Sequence, residues 1–122
     1  MILNFDSDTP IYIQIAEEIE NAILCGVYDD EAQVPSTTEI SVNYKINPAT
    51  ALKGMSKLVD EGILLKKRGV GMFVQKGAKD LILEKHKEKF FEMYVMPLIL
   101  EAKKLTVTKT EINEMIKRGY EQ

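Results

Sequence analysis

The side chains best suited to chemistry in this sequence are positive charges between residues 45 and 68, and that chemistry is the binding of phosphate. No Lys or Arg occurs before residue 45, whereas nine acidic residues do. Residues 45 to 68 then contain six basic side chains against two acidic ones, a local charge of +4 in a chain whose total is −3. Because salt confines each charge to about 8 to 10 Å, such a patch binds phosphates even on an acidic protein. The charge distribution therefore predicts a nucleic-acid ligand.

Other kinds of site have little support. No serine elbow, Cys-His pair, paired carboxylates in an apolar setting or phosphate loop occurs, so no catalytic residue and no enzyme is expected. His86 is the only histidine, and a metal site needs several ligands, so no metal or other cofactor is expected. Cys25 lies in a helical pattern and is interpreted as a small core residue of a cytoplasmic protein. The absence of an eighteen-residue apolar run or a signal-peptide pattern argues against a membrane.

An amphipathic helix is the first element that can support the basic cluster. Isoleucine recurs every fourth residue between polar side chains, at Ile11, Ile15, Ile19 and Ile23. This spacing predicts a helix with one apolar face. We expect Thr9 to cap the helix, Pro10 to lie in its first turn and Gly26 to end it.

Two shorter helices separated by a tight turn follow. Ser36 and Glu39 form a capping box that opens the first, which runs to about Tyr44. Asn47 and Pro48 open the second, as a cap followed by a proline. Its apolar side is expected to contain Ala51, Leu52, Met55, Leu58 and Val59. At 100° per residue the opposite side contains Ala49, Lys53, Ser56, Lys57 and Asp60, with Thr50 at its border.

A basic β-hairpin completes this region. Residues 63 to 67 are the predicted first strand, 68 to 71 a turn that contains glycine, and 72 to 75 the returning strand. A helix-turn-helix followed by such a hairpin is typical of a winged helix. We therefore predict a mainly α fold with a small β-hairpin, in which residues 1 to 76 form a winged helix-turn-helix DNA-binding domain.

The stretch from Pro10 to Val74 resembles the GntR family of bacterial regulators. Five pieces in order carry the resemblance: PIYIQIA at 10–16, VPSTTEI at 34–40, INPATA at 46–51, LVDEGIL at 58–64 and RGVGMFV at 68–74. The start of the third helix and the short helical tail are similar to the YtrA-like subfamily. This resemblance implies a dimeric repressor whose tail helices dimerise and whose gene often lies beside transporter genes.

Two positions depart from the family pattern. Thr38 and Lys53 lie where the family usually has an arginine and another basic residue. Neither side chain reproduces the planar fork with which arginine reads guanine. The operator is therefore expected to differ from a typical family site.

DNA contacts are expected from three places in the domain. They are the start of the second helix, with Ser36, Thr37 and Thr38; the third helix, with Asn47, Ala49, Thr50, Lys53 and Lys57; and the hairpin, with Lys66, Lys67, Arg68, Gly69 and Gly71. Plainer interpretations exist for each group. Ser36 can be an N-cap only, the helix lysines a solvated face, and the hairpin charges the protection of a sheet edge.

The tail, residues 77 to 122, is predicted to be a helical dimerisation segment. Residues 90 to 100 are apolar almost all round, and a tail of this size cannot cover such a helix within one chain. A homodimer is expected, with an interface that contains Phe90, Phe91, Tyr94, Val95 and Leu98. An unidentified small-molecule effector is the alternative occupant of this surface. Pro97 is expected to kink the helix, and Thr108 with Glu111 to cap the last one.

Two functions follow from these patterns. The first is a sequence-specific transcription regulator, a dimeric repressor that binds a palindromic operator in double-stranded DNA. The second is a winged-helix protein-interaction module without specific DNA readout. The basic stretch on an otherwise acidic chain favours the first.

Overall fold

Six α-helices and one β-hairpin make up the structure, a computed structural model that describes residues 1–122. The helices are α1 (Ile11–Leu24), α2 (Thr37–Tyr44), α3 (Pro48–Asp60), α4 (Ala78–Phe90), α5 (Met96–Lys104) and α6 (Lys109–Tyr120). The strands are β1 (Leu64–Lys67) and β2 (Gly71–Val74), and a π-helical segment (Phe91–Val95) joins α4 to α5. The predicted fold class, mainly α with one hairpin, is confirmed.

Two compact units divide the chain, Met1–Glu84 and Lys85–Gln122. The first unit therefore extends beyond residue 76, where the sequence analysis placed the boundary. The reason is that Ala78 and Ile82, in the first turns of α4, are buried in its core. None of the helices has the length and apolar content that crossing a membrane requires.

Helix α1 buries the face that its isoleucines predict, but it begins differently. Pro10 is the N-cap, so the predicted cap by Thr9 is wrong. The Gln14 side chain holds the preceding segment instead: its Nε2 donates to the Thr9 carbonyl at 2.8 Å and to the Asn4 carbonyl at 2.9 Å. The helix ends at Leu24, so Cys25 lies past its buried face and is exposed. The interpretation of Cys25 as a core residue is therefore wrong.

Helix α2 and the turn after it have the predicted caps. The Glu39 N–H donates to Ser36 Oγ at 3.0 Å, and the Ser36 N–H donates to Glu39 Oε1 at 3.3 Å, which completes the capping box. The helix ends at Tyr44, and its C-cap Lys45 has a left-handed φ of 54°. Asn47 Oδ1 then accepts the Ala49 N–H at 2.8 Å and caps α3. The two helices of the helix-turn-helix are thus fixed at both sides of their turn.

The buried side of α3 is rotated from the predicted one. Ala51, Gly54, Met55 and Leu58 are buried, whereas Leu52, which was expected on the apolar side with them, is 46% exposed. A Cβ on Gly54 would lie 2.8 Å from the Tyr12 carbonyl oxygen and 3.1 Å from Ile15. The glycine therefore lets α1 approach α3 closely, and that approach sets which side of α3 is buried.

The hairpin pairs Leu64 with Val74 and Lys67 with Gly71, and residues 31–34 extend it. The Glu31 N–H donates to the Val74 carbonyl and the Val34 N–H to the Met72 carbonyl, at 2.9 and 3.0 Å. A single bridge joins Gln33 to Phe73. These bonds connect the hairpin to the segment that leads into α2.

The second unit consists of helices, with a short turn at residues 105–108 between α5 and α6. Pro97 has no N–H for the usual bond four residues back, and the five residues before α5 are π-helical, with the Met96 N–H bonded to the Phe91 carbonyl. Thr108 and Glu111 form the predicted capping box of α6. Ala102 is the single buried residue of this unit.

Candidate nucleic-acid interface

The N-terminal half of α3 presents an exposed surface opposite its buried side. Ala49 and Lys53 are exposed and Thr50 is half-buried at the border, as their helical spacing predicts. Asn47 is exposed, with its side-chain oxygen engaged in the cap. Lys53 Nζ lies 4.1 Å from the centroid of the Tyr12 ring. This cation–π contact restrains the ammonium group over the start of α1 while it stays accessible to solvent.

Lys57, one turn further along α3, has different surroundings. Its Nζ forms an ion pair with Glu61 Oε1, and its side chain is 34% exposed. The opposite charge of Glu61 offsets the attraction that Lys57 exerts on a phosphate. The structure therefore separates two lysines that the sequence treats alike.

The polar side chains at the start of α2 differ in their hydrogen bonding and in their exposure. Ser36 Oγ accepts the cap hydrogen bond and is half-buried, as is Thr37. Thr38 points out of the first turn and is exposed. Ser36 is thus an N-cap, and a phosphate contact by Ser36 stays a prediction.

The hairpin tip is an exposed basic loop. Lys66, Lys67 and Arg68 are exposed, and Lys67 Nζ lies 4.5 Å from the Phe73 ring centroid. Gly69 has a φ of +75°, a left-handed conformation that glycine adopts without a steric cost. The Val70 N–H closes the turn on the Lys67 carbonyl at 2.9 Å. The tip therefore carries its charges on a turn that a backbone hydrogen bond closes.

All of these residues belong to the first compact unit, where α3 packs against α1, α2 and β1. Two further residues of the site were missed by the sequence analysis. Tyr12 contacts Lys53 from the first turn of α1, and Gln33 contacts the hairpin tip from the segment before α2. In the sequence, Tyr12 stands out only because it lies outside the isoleucine face of α1, and no local pattern points to Gln33.

A helix-turn-helix with an exposed third helix and a basic hairpin defines a winged-helix DNA-binding transcription regulator. The family model described as bacterial regulatory proteins, gntR family, matches residues 11–74. The chain belongs to this GntR family, a family of regulators and not of enzymes.

Three relatives from Bacillus subtilis (strain 168) illustrate the range of matches. The chain is 31% identical to the HTH-type transcriptional regulator YhcF, over 93% of this chain and 92% of YhcF. It is 31% identical to the HTH-type transcriptional repressor YtrA, over 91% of this chain and 85% of YtrA. It is 38% identical to the HTH-type transcriptional regulator YurK over 61% of this chain, but that match spans only 31% of YurK's length.

Solved structures agree with this assignment. A GntR-family transcriptional regulator from Bacteroides thetaiotaomicron is 33% identical and superimposes with a TM-score of 0.77, over 91% of this chain and 96% of that one. The DNA-binding domain of AraR, solved in complex with operator ORX1, is 28% identical with a TM-score of 0.54, over 61% of this chain and 92% of that one. A protein with this type of domain is thus known in its complex with operator DNA.

Proposed function

We propose that this regulator is a dimeric repressor that binds a palindromic operator through α3, the start of α2 and the hairpin. The observation that carries the proposal is the exposed N-terminal half of α3, next in sequence to a basic hairpin on an otherwise acidic chain. In this motif the N-terminal residues of the third helix enter the major groove. Ala49 and Thr50 lie there, where a methyl group and a hydroxyl group can contact base edges and thymine methyls.

The remaining contacts position the protein on the DNA backbone. Lys53, Lys66, Lys67 and Arg68 supply exposed positive charge for phosphates, and Gly69 and Gly71 let the hairpin backbone approach closely. Ser36, Thr37, Thr38 and Asn47 lie at the first turns of α2 and α3, whose orphan N–H groups favour phosphate. Lys57 contributes less, because Glu61 is paired with it.

The tail supports the dimeric part of the proposal. Phe90, Phe91, Tyr94 and Leu98 are exposed and Val95 is half-buried, although burial of such side chains is favourable. A second copy of the chain would cover this surface and place two third helices on two half-sites related by a two-fold axis. Repression is proposed because the relative YtrA is named as a repressor. A cytoplasmic location is proposed because a bacterial regulator has to reach DNA there.

Selection of binding sites from a random DNA library tests the function directly. The expected product is an enriched inverted repeat, and Thr50→Ala should relax the preference at one or two of its positions, by about 1 to 3 kcal/mol for each lost base contact. A library that yields no enriched sequence would contradict specific DNA readout and favour a protein-interaction module. Enrichment of a single half-site would contradict the palindrome.

Salt dependence tests the hairpin contacts. The double variant Lys66→Ala/Lys67→Ala should flatten the plot of log affinity against log salt by about one for each lost phosphate contact. The matched control is Lys76→Ala/Lys79→Ala, which removes the same charge from the other end of the hairpin and the start of α4. If the salt slope of the hairpin variant equalled that of the parent protein, the hairpin would not touch DNA.

A further inference from the structure

The side chain of Gln33 reaches the tip of the hairpin. Its Nε2 donates a hydrogen bond to the Val70 carbonyl at 3.2 Å, across 37 positions of sequence. The backbone beside it is fixed as well, because Gln33 forms a bridge with Phe73 and the Val34 N–H donates to the Met72 carbonyl at 3.0 Å. Gln33 therefore contacts the hairpin through both its backbone and its amide.

The glycine at position 71 fits the same arrangement. A Cβ built on Gly71 would lie 2.5 Å from Gln33 Nε2, closer than real Cβ contacts come. The φ of Gly71 is +142°, which side chains rarely adopt. Position 71 therefore leaves the space that the Gln33 amide occupies beneath the tip.

Apart from Gln33, the tip is held by the Lys67 ammonium on the Phe73 ring and by its own turn. Residues 65 to 70 are all exposed, and the Val70 N–H bond to the Lys67 carbonyl is the backbone bond that closes the turn. Leu64, Met72 and Val74 anchor the strands in the core, whereas residues 65 to 70 bury no side chain, and a hairpin segment without packing is marginally stable. An amide that fixes the Val70 carbonyl would thus restrict the part of the hairpin that presents Arg68 and Gly69.

We propose that Gln33 is a positioning residue, which holds the hairpin tip in the conformation that binds DNA. It acts through Val70 and not by touching DNA. Because Ser36 lies three residues further on, the same segment also sets where the tip lies relative to the start of α2. The inference rests on the proposed function, in which the hairpin contacts the operator.

The variant Gln33→Met in the full chain tests this role, because methionine has a similar length and no N–H donor. We expect an operator affinity that falls about three- to tenfold and a thermal midpoint that falls by only a few degrees, as for one lost neutral hydrogen bond. Hydrogen exchange of the Val70 N–H should accelerate, while exchange of the Glu39 N–H in the α2 cap should not. The matched control Gln75→Met alters an exposed glutamine at the other end of β2 and should leave all three readouts unchanged.

A double-mutant cycle separates positioning from direct contact. In the background Lys66→Ala/Lys67→Ala/Arg68→Ala the affinity loss from Gln33→Met should become much smaller, because the tip has lost the charges that bind phosphate. An equal loss in that background would overturn the inference and show that Gln33 touches DNA itself. If the Val70 N–H exchanged in Gln33→Met as slowly as in the parent protein, the inference would be overturned as well. If the triple variant by itself bound the operator as tightly as the parent protein, the hairpin contact of the proposed function would be wrong. The exchange rate of the Val70 N–H would still show whether Gln33 holds the tip.

Discussion

Lys53 and Lys57 lie one helical turn apart on α3, and only their surroundings distinguish them. Lys53 is exposed and rests on the Tyr12 ring, whereas Lys57 is paired with Glu61. A phosphate near Lys53 meets a full positive charge, and one near Lys57 meets an ion pair. The assignment of a role therefore requires the neighbours of each lysine, which spacing along a helix does not provide.

Comparison of the two lysines is the first prediction at this scale. Lys53→Ala should lower operator affinity and flatten the salt slope by about one for each phosphate contact. Lys57→Ala serves as the matched substitution and should change both quantities less, because Glu61 already offsets its charge. Gel shifts at several salt concentrations measure both. Equal effects of the two variants would contradict the structural distinction.

Among the elements, the contact between α1 and α3 depends on Gly54. A Cβ at position 54 would lie 2.8 Å from the Tyr12 carbonyl oxygen and 3.1 Å from the Ile15 side chain, and glycine avoids both contacts because it has no Cβ. Both obstacles are rigid, because one is backbone and the other is the stem of a buried β-branched residue. The two helices can therefore accommodate a methyl group here only by moving apart.

Replacement of this glycine should destabilise the protein. Gly54→Ala gains about 0.5 to 1 kcal/mol of helix propensity but overpacks the contact, at a cost of about 1 to 3 kcal/mol, so the net change is unfavourable. The control is Gly119→Ala in α6, where an added Cβ meets nothing within 4 Å and the propensity gain should remain. Urea unfolding measures both free energies. A Gly54→Ala protein as stable as the parent would contradict the close approach.

Local patterns predicted the elements well and the contacts between them poorly. The capping boxes at Ser36 and Thr108 were predictable because a cap involves residues three apart. Leu52 was misplaced because the buried side of α3 is decided by where α1 approaches, at Gly54. Gln33 was missed because its partner Val70 is 37 positions away, and no local spacing encodes such a bond.

For the whole molecule, the boundary between the two units determines how dimerisation can be tested. Truncation after Gly77, at the predicted domain boundary, would remove Ala78 and Ile82 from the core of the first unit. Loss of those buried side chains would unfold or destabilise the domain for reasons unrelated to a dimer. A truncation has to follow Glu84, and a point substitution in the full chain is the cleaner test.

The last prediction is that the tail makes the dimer and that tight DNA binding requires it. Phe91 is 53% exposed, and the Phe90 and Tyr94 rings pack against each other with centroids 5.5 Å apart. An interface that buries about 800 Å² on each copy is of ordinary size for a stable complex. Phe91→Asp or Tyr94→Asp should leave the first unit folded and give a monomer of 13.9 kDa, because a carboxylate would be buried without a partner.

The DNA affinity of that monomer should fall by about 100-fold or more, because binding of one winged helix no longer holds a second one next to the other half-site. Tyr120→Asp is the matched control: it introduces the same charge at an aromatic residue that is 89% exposed at the end of α6. Sedimentation measures the mass and gel shifts measure the affinity for the selected operator. Phe91→Asp protein that sediments with the parental mass would place the dimer contact elsewhere. A monomer that binds the operator as tightly as the parent would show that one winged helix is sufficient.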